Sequence, residues 1–242
     1  MRGSDFLLLR EIPCVELGLT IHNPSIEEIS MVGETSFFKG LRVLTFSKKD
    51  LSGFSEELQD ATDFSLLMFV LNTQEYAHFR KDVEKVFQII FPNCQILIKT
   101  DSILISDVEK KSATFLREGN FAEFVEIIKV VFDLKNQKDE FNPANKATEK
   151  LIEQIKRGRE KIKREKEAFE DNKDENVLVN LVSIMSIGMG IDINILKKYT
   201  VIQLLKSFER YQLKLASDRY FMARVQGAEG LDEPEDWYKS LD

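Results

Sequence analysis

The chain has few of the residues that build metal centres and disulfide frameworks. Its 242 residues include two cysteines and two histidines. Cys14 and Cys94 could form one disulfide at most, and free thiols in a reducing compartment are the better interpretation. A structural zinc site needs about four clustered ligands, and no such spacing of Cys and His occurs. We therefore expect no metal site and no cofactor.

Long apolar runs are also missing. A membrane-spanning helix needs at least ~18 consecutive apolar residues, and the longest candidate, Phe64–Leu71, is far shorter. The apolar start Phe6–Leu9 is followed at once by Arg10 and Glu11, which makes a poor secretory signal. These absences predict a soluble protein of the cytoplasm.

The chain has fewer basic than acidic residues. The chain carries 34 Lys and Arg against 41 Asp and Glu, a net charge of −7. An acidic protein is repelled by phosphate backbones and anionic lipid, so we expect neither nucleic acid nor membrane as partner. The one basic run, Lys156–Lys166, has no interleaved aromatic residue and is typical of a solvated helix stabilised by charge pairs.

Catalytic motifs are absent as well. No phosphate-binding GxxxxGK[ST] loop and no GxSxG nucleophile elbow occurs, and Gly188-Met189-Gly190 lacks the third glycine of a dinucleotide site. Cys14 and His22 could be imagined as a thiol and its base, but a lone pair of this kind has almost no specificity. We therefore predict no catalytic residues and no enzyme.

What the chain does have is apolar patterning, including 18 Phe residues that indicate a substantial core. The first ~135 residues alternate between helix-like and strand-like segments, which predicts an α+β domain. Its predicted elements are a helix opened by Asn23-Pro24 and ended by Gly33, a short strand within Phe37–Phe46, a buried helix or strand at Phe64–Leu71, a helix at Gln74–Phe91, a β-hairpin at Gln95–Ile105 turning at Thr100–Ser102, and a helix capped by Asn120 with Glu123 in the capping-box position.

A second, mainly α-helical domain is predicted after a polar linker. Residues 1–135 form the α+β domain, 136–146 the linker, and 147–242 a helical domain that starts with a charged helix to about residue 170. Val177–Met189 contains no charged residue, and we interpret it as core rather than as a docking surface. Thr200 and Gln203 form a capping box for a long helix ending near Gly227.

Aromatic residues near the C-terminus are the candidate partner-binding residues. Trp237 and Tyr238 follow an acidic stretch, and an aromatic anchor on an acidic tether suits docking to a protein. The competing interpretation is that Trp237 folds back on the C-terminal helices. The full set of candidates is Tyr211, Tyr220, Phe221, Trp237 and Tyr238.

The C-terminal third resembles tail assembly chaperones and related tail-region proteins of long-tailed bacteriophages. The features that the resemblance rests on are a Thr-x-x-Gln-Leu helix start, an aromatic-rich helix, a Gly-Ala step and a late Trp. They occur at Thr200–Leu204, Phe208–Tyr211, Gly227-Ala228 and Trp237, and the opening Asn23–Ile29 with Val32–Glu34 is similar too.

This resemblance implies a non-enzymatic chaperone that binds the tape-measure protein in the host cytoplasm and helps to recruit tail tube subunits. In that family a longer form often gains its C-terminal domain by ribosomal frameshifting, which would fit a division near residue 140. A virion structural protein of the neck or tail, or an enzyme on an unrecognised fold, are the alternatives. Self-association into a homo-oligomer also stays open.

Overall fold

A computed structural model describes residues 8–47, 61–107, 111–134, 177–230, 233–234 and 236–238. The predicted linker at 136–146 and the predicted charged helix at 147–170 lie outside the described residues. The described part confirms the predicted fold class: two small antiparallel sheets with helices, followed by a mainly helical C-terminal part. None of the described helices is long and apolar enough to cross a membrane.

Two antiparallel sheets lie in the N-terminal part. A hairpin of β1 (Glu11–Cys14) and β2 (Leu19–His22) turns at Gly18, whose φ of 61° favours glycine. The predicted hairpin is confirmed as β3 (Cys94–Ile98) and β4 (Ile103–Asp107), and β5 (Ser112–Leu116) adds a third strand. The first hairpin and β5 are not among the elements that the sequence predicts.

The described residues of this part also form five α-helices. Phe64–Leu71, whose helix or strand identity the sequence left open, belongs to a helix, and the predicted Gln74–Phe91 helix begins with a 3-10 turn, Gln74–Tyr76. The helices are α1 (Ile26–Val32), α2 (Glu34–Leu44), α3 (Asp63–Asn72), α4 (Ala77–Ile90) and α5 (Glu118–Val131).

The short strand predicted within Phe37–Phe46 is wrong, because this segment belongs to α2. The alternation of Leu41, Val43 and Thr45 imitates a strand, but the residues that α2 buries are Phe37, Leu41 and Leu44. Their spacing of four and three residues is the helical period. Gly40 lies on the same side, where α2 approaches the backbone of α4.

Two predicted helix caps are also wrong. α1 is capped by Ser25, not by Asn23, because Ser25 and Glu28 form a reciprocal capping box: the Glu28 N–H donates to Ser25 Oγ (3.2 Å) and the Ser25 N–H to Glu28 Oε2 (2.7 Å). α5 begins one turn earlier than predicted. Asn120 is its third residue, and its Oδ1 accepts the Arg117 N–H at 2.8 Å.

The C-terminal part contains α6 (Val177–Met189), α7 (Ile193–Leu196) and α8 (Val201–Val225). The predicted Thr200/Gln203 capping box is confirmed at the start of α8. Gly227, with φ of 85°, follows the end of this helix. Ser25 and Thr200 also meet in an isolated antiparallel β-bridge, which joins the cap of α1 to that of α8.

One hydrophobic core includes residues from both ends of the chain. Phe37, Phe87 and Phe124 are fully buried at its centre, and α6 contributes Leu178 and Met185. Residues 1–135 and 176–242 accordingly belong to one compact unit. The described C-terminal helices therefore share a hydrophobic core with the N-terminal part. The division into two domains at 136–146 stays a prediction.

Candidate protein-binding surface

Helix α6 carries no charged side chain and has apolar residues on more than one side. The core, however, takes up only one face of this thirteen-residue helix, through Leu178, Val182 and Met185. The interpretation of this segment as core is therefore correct for three residues and wrong for most of the others. The spacing of Asn180 and Ser183 on the outer face is the sequence signal that could have indicated this exposure.

The outer side of α6 and the adjoining α7 expose seven large apolar side chains, which together we call the α6–α7 surface. Several large apolar side chains left exposed on neighbouring helices are a common mark of a protein-binding site. Its members and their exposed fractions are Val177 (50%), Val179 (49%), Ile184 (49%), Ile187 (84%), Met189 (41%), Ile193 (52%) and Ile195 (53%).

A groove of about 370 Å³ runs beside this surface, between α1 and the C-terminal helices. Ile26 and Val182 are buried at its base, while Met31 is 78% exposed at its edge. Lys197 Nζ lies 2.9 Å from Glu27 Oε1 at the rim and forms an ion pair there. An apolar side chain of a partner helix could enter such a groove, with polar groups only at the border.

A buried carboxylate holds the N-terminus of α6. The Leu178 N–H donates to Glu34 Oε1 at 2.8 Å, although 144 residues separate the two. Burial raises the pKa of Glu34, and hydrogen bonds from the backbone of Leu178, Val179 and Val177 partly offset the increase. The helix N-terminus favours a negative charge at this position. Glu34 thus helps to position the α6–α7 surface on the rest of the protein.

We expect stability to depend on pH through Glu34. Because its folded-state pKa is raised, the folded chain retains this proton to higher pH than the unfolded chain. The free energy of unfolding from this group therefore falls as pH rises from its ordinary pKa, 4.5, through the raised one. The amide of Glu34→Gln does not titrate, so urea denaturation between pH 4 and pH 8 should show wild type losing stability relative to this variant. A pH-independent difference would contradict this assignment.

Cys14 and His22 do not form a thiol and base pair. The β1–β2 register places His22 opposite Glu11 and Cys14 opposite Leu19, at the other end of the hairpin. His22 Nδ1 lies 2.6 Å from Glu11 Oε1, and its Nε2 lies 3.1 Å from Glu28 Oε1. Both ring nitrogens are thus engaged by carboxylates, which leaves neither for the thiol.

Cys14 is predicted to be an unreactive thiol. It is 2% exposed, and burial, assisted by the charges of Glu123 and Glu16, raises its pKa to about 11. Only the thiolate reacts with iodoacetamide, so labelling of the folded protein at pH 8 followed by peptide mass spectrometry should leave Cys14 unmodified. Labelling in urea is the control and should modify Cys14 fully. Rapid labelling of Cys14 in the folded protein would contradict this environment.

The predicted partner-binding residues on α8 differ in exposure. Tyr211 is half-buried against α6, so close to Gly188 that a Cβ added there would lie 2.7 Å from the Tyr211 ring. Tyr220 is half-buried too, in an edge-to-face contact with Phe221 at 5.6 Å between ring centres. Phe221 is 62% exposed, beside exposed Met222 and Val225. Only the end of α8 therefore presents apolar side chains outward.

The two aromatic residues of the tail remain partly exposed. Trp237 is 41% and Tyr238 67% exposed, and their rings are in edge-to-face contact. The Trp237 carbonyl accepts a hydrogen bond from Arg210 Nη1 at 2.9 Å, so the tail returns to α8. The partner-binding role of all five candidate residues stays a prediction.

The region that contains α6, α7, α8 and the tail is similar to a phage-associated domain family. Residues 170–242 match the family model described as the YomV second domain. That family is phage-derived, and YomV is a protein of a Bacillus phage region. No curated protein and no solved structure matches the chain. The comparison indicates a phage-associated domain over this part of the chain. The four residues that line the groove outside α1, which are Val179, Val182, Ile193 and Lys197, all fall within the matched region.

Proposed function

We propose that this protein is a non-enzymatic phage tail assembly chaperone. In this proposal it binds the tape-measure protein in the host cytoplasm and helps to recruit tail tube subunits. The observation that supports it best is the α6–α7 surface, seven apolar side chains left exposed on helices of the phage-related region. The resemblance of the C-terminal third to tail assembly chaperones supplies the identity of the partners.

The chemistry of the surface suits a long, amphipathic helical partner. Apolar side chains that recur along a partner helix could cover Ile184 and Ile187, and one of them could enter the groove beside Met31. Burial of apolar area would supply the affinity, at about 25 cal/mol per Å² before the costs of association. The net charge of −7 would oppose nonspecific aggregation of the free protein.

A pair of charge substitutions tests whether this surface is the one used. Ile187→Glu places a charge in the middle of the α6–α7 surface, at a side chain already 84% exposed, so the fold should tolerate it. Co-expressed with the tape-measure protein, this variant should recover at least about tenfold less partner in a pull-down, because burying an unpaired charge is costly.

The matched control is Val15→Glu, which introduces the same charge at a residue 80% exposed in the β1–β2 turn. It should recover as much partner as wild type. Circular dichroism of both variants confirms that they are folded. Equal recovery by the two variants would refute the α6–α7 surface as the binding site.

A further inference from the structure

The outer face of the three-stranded sheet carries an apolar row that no described helix covers. The strand register aligns Leu97 of β3 with Leu104 of β4, and Leu104 with Phe115 of β5. The neighbouring positions Ile98, Ile103 and Leu116 point to the core and are buried. Leu97, by contrast, is 52% exposed, and Leu104 and Phe115 are half-exposed.

Two cations lie at one end of this row. Lys99 Nζ is 5.2 Å and Arg117 Cζ 4.8 Å from the centre of the Phe115 ring, so both cations interact with this ring. Both side chains are exposed, and neither pairs with a carboxylate among the residues that the structure describes. We call Leu97, Lys99, Leu104, Phe115 and Arg117 the sheet face. Its chemistry suits a segment with carboxylates next to an aromatic side chain.

The C-terminal tail of the chain has that complementary chemistry. Five acidic residues, Glu229, Asp232, Glu233, Glu235 and Asp236, precede Trp237 and Tyr238. The rings of Trp237 and Tyr238 are partly exposed, while the Trp237 carbonyl is bonded to Arg210 of α8 in the same copy. Because each copy holds its own tail at α8, the sheet face would receive the tail of another copy.

We propose that the sheet face binds the acidic, aromatic tail of a second copy of this chain. Lys99 and Arg117 would pair with tail carboxylates, and the Leu97–Leu104–Phe115 row would contact Trp237 or Tyr238. Charge pairs of this kind set the orientation and specificity of an interface, while the aromatic anchor supplies most of its affinity. The association should weaken as ionic strength rises.

Charge reversal on both sides of the interface tests the proposal. Sedimentation velocity over a range of protein concentrations should show reversible self-association of the full-length wild type. Lys99→Glu with Arg117→Glu should raise its dissociation constant at least about tenfold, and Glu233→Lys with Glu235→Lys should do the same. The four changes combined should restore self-association. If the Lys99/Arg117 variant fails to fold, the Glu233/Glu235 variant still tests whether the tail is needed for self-association.

The control variant Lys39→Glu with Lys81→Glu changes the net charge equally at exposed positions of α2 and α4, and should associate as wild type does. A monomeric wild type at every concentration would overturn the proposal, as would equal effects of the control and sheet-face variants. Binding of a labelled single-stranded oligonucleotide, lost in the Lys99/Arg117 variant, would overturn it in favour of nucleic acid. None of these experiments measures binding to the tape-measure protein, so their outcomes do not decide the proposed function.

Discussion

Replacing Gly40 with alanine is expected to destabilise the protein by about 3 kcal/mol, the upper end of the usual cost of overpacking. A Cβ at this position would overlap the carbonyl oxygen of Asp82 and lie 2.6 Å from its carbonyl carbon and 2.7 Å from Val86 Cγ2. Two of these atoms belong to the α4 backbone, which cannot move without separating α2 from α4. This cost exceeds the gain of about 1 kcal/mol that alanine brings to a helix.

Thermal denaturation followed by circular dichroism checks this result. For a protein of this size a loss of 3 kcal/mol lowers Tm by roughly 6–12 °C. Gly119→Ala is the matched control, because Gly119 lies in α5 with no atom of another residue near its added Cβ. It should leave Tm unchanged or raise it slightly. A Gly40→Ala protein as stable as wild type would show that α2 and α4 are not in backbone contact here.

Replacing Glu34 with alanine is expected to cost about 2 kcal/mol and to loosen α6. The change removes the carboxylate that accepts the Leu178 N–H, and an unpaired buried donor costs about 1–3 kcal/mol. The favourable interaction between the Glu34 carboxylate and the N-terminus of α6 is lost as well. Urea denaturation measures the total effect, and hydrogen exchange at the start of α6 should become faster than in wild type.

Glu27→Ala supplies the comparison for this variant. Glu27 also joins the N-terminal part to the C-terminal helices, through its ion pair with Lys197, but its side chain is 39% exposed. An exposed ion pair contributes about 0–1 kcal/mol, so this variant should be close to wild type in stability. If the two variants lost equal stability, the buried position of Glu34 would not explain its effect.

The sequence was sufficient for features that depend on local signals. The β3–β4 hairpin, the Thr200/Gln203 cap and the helix that starts at Gln74 each follow from neighbouring residues, and all are confirmed. Two other local signals were misleading. The alternation of Leu41 and Val43 concealed the helical spacing of α2, and Asn23-Pro24 indicated a helix start two residues before the observed cap, Ser25.

The features that position the candidate binding surface depend on distant residues. Glu34 caps a helix that begins 143 positions later, and Gly40 is needed because of Asp82. Neither contact leaves a periodic signal in the sequence. The exposure of α6 differs from these two contacts, because Asn180 and Ser183 are a weak local signal of an exposed face in a helix that otherwise lacks charge.

Co-purification with the tape-measure protein tests the central proposal most directly. The tagged protein would be expressed together with the tape-measure protein and tail tube protein of the same phage, and mass spectrometry would be run on the pull-down and on finished phage particles. The proposal predicts recovery of the tape-measure protein in the pull-down and absence of this chain from the particles. Stoichiometric presence in the particles, or no recovery of the tape-measure protein, would contradict an assembly chaperone; the first of these results would indicate a virion structural protein.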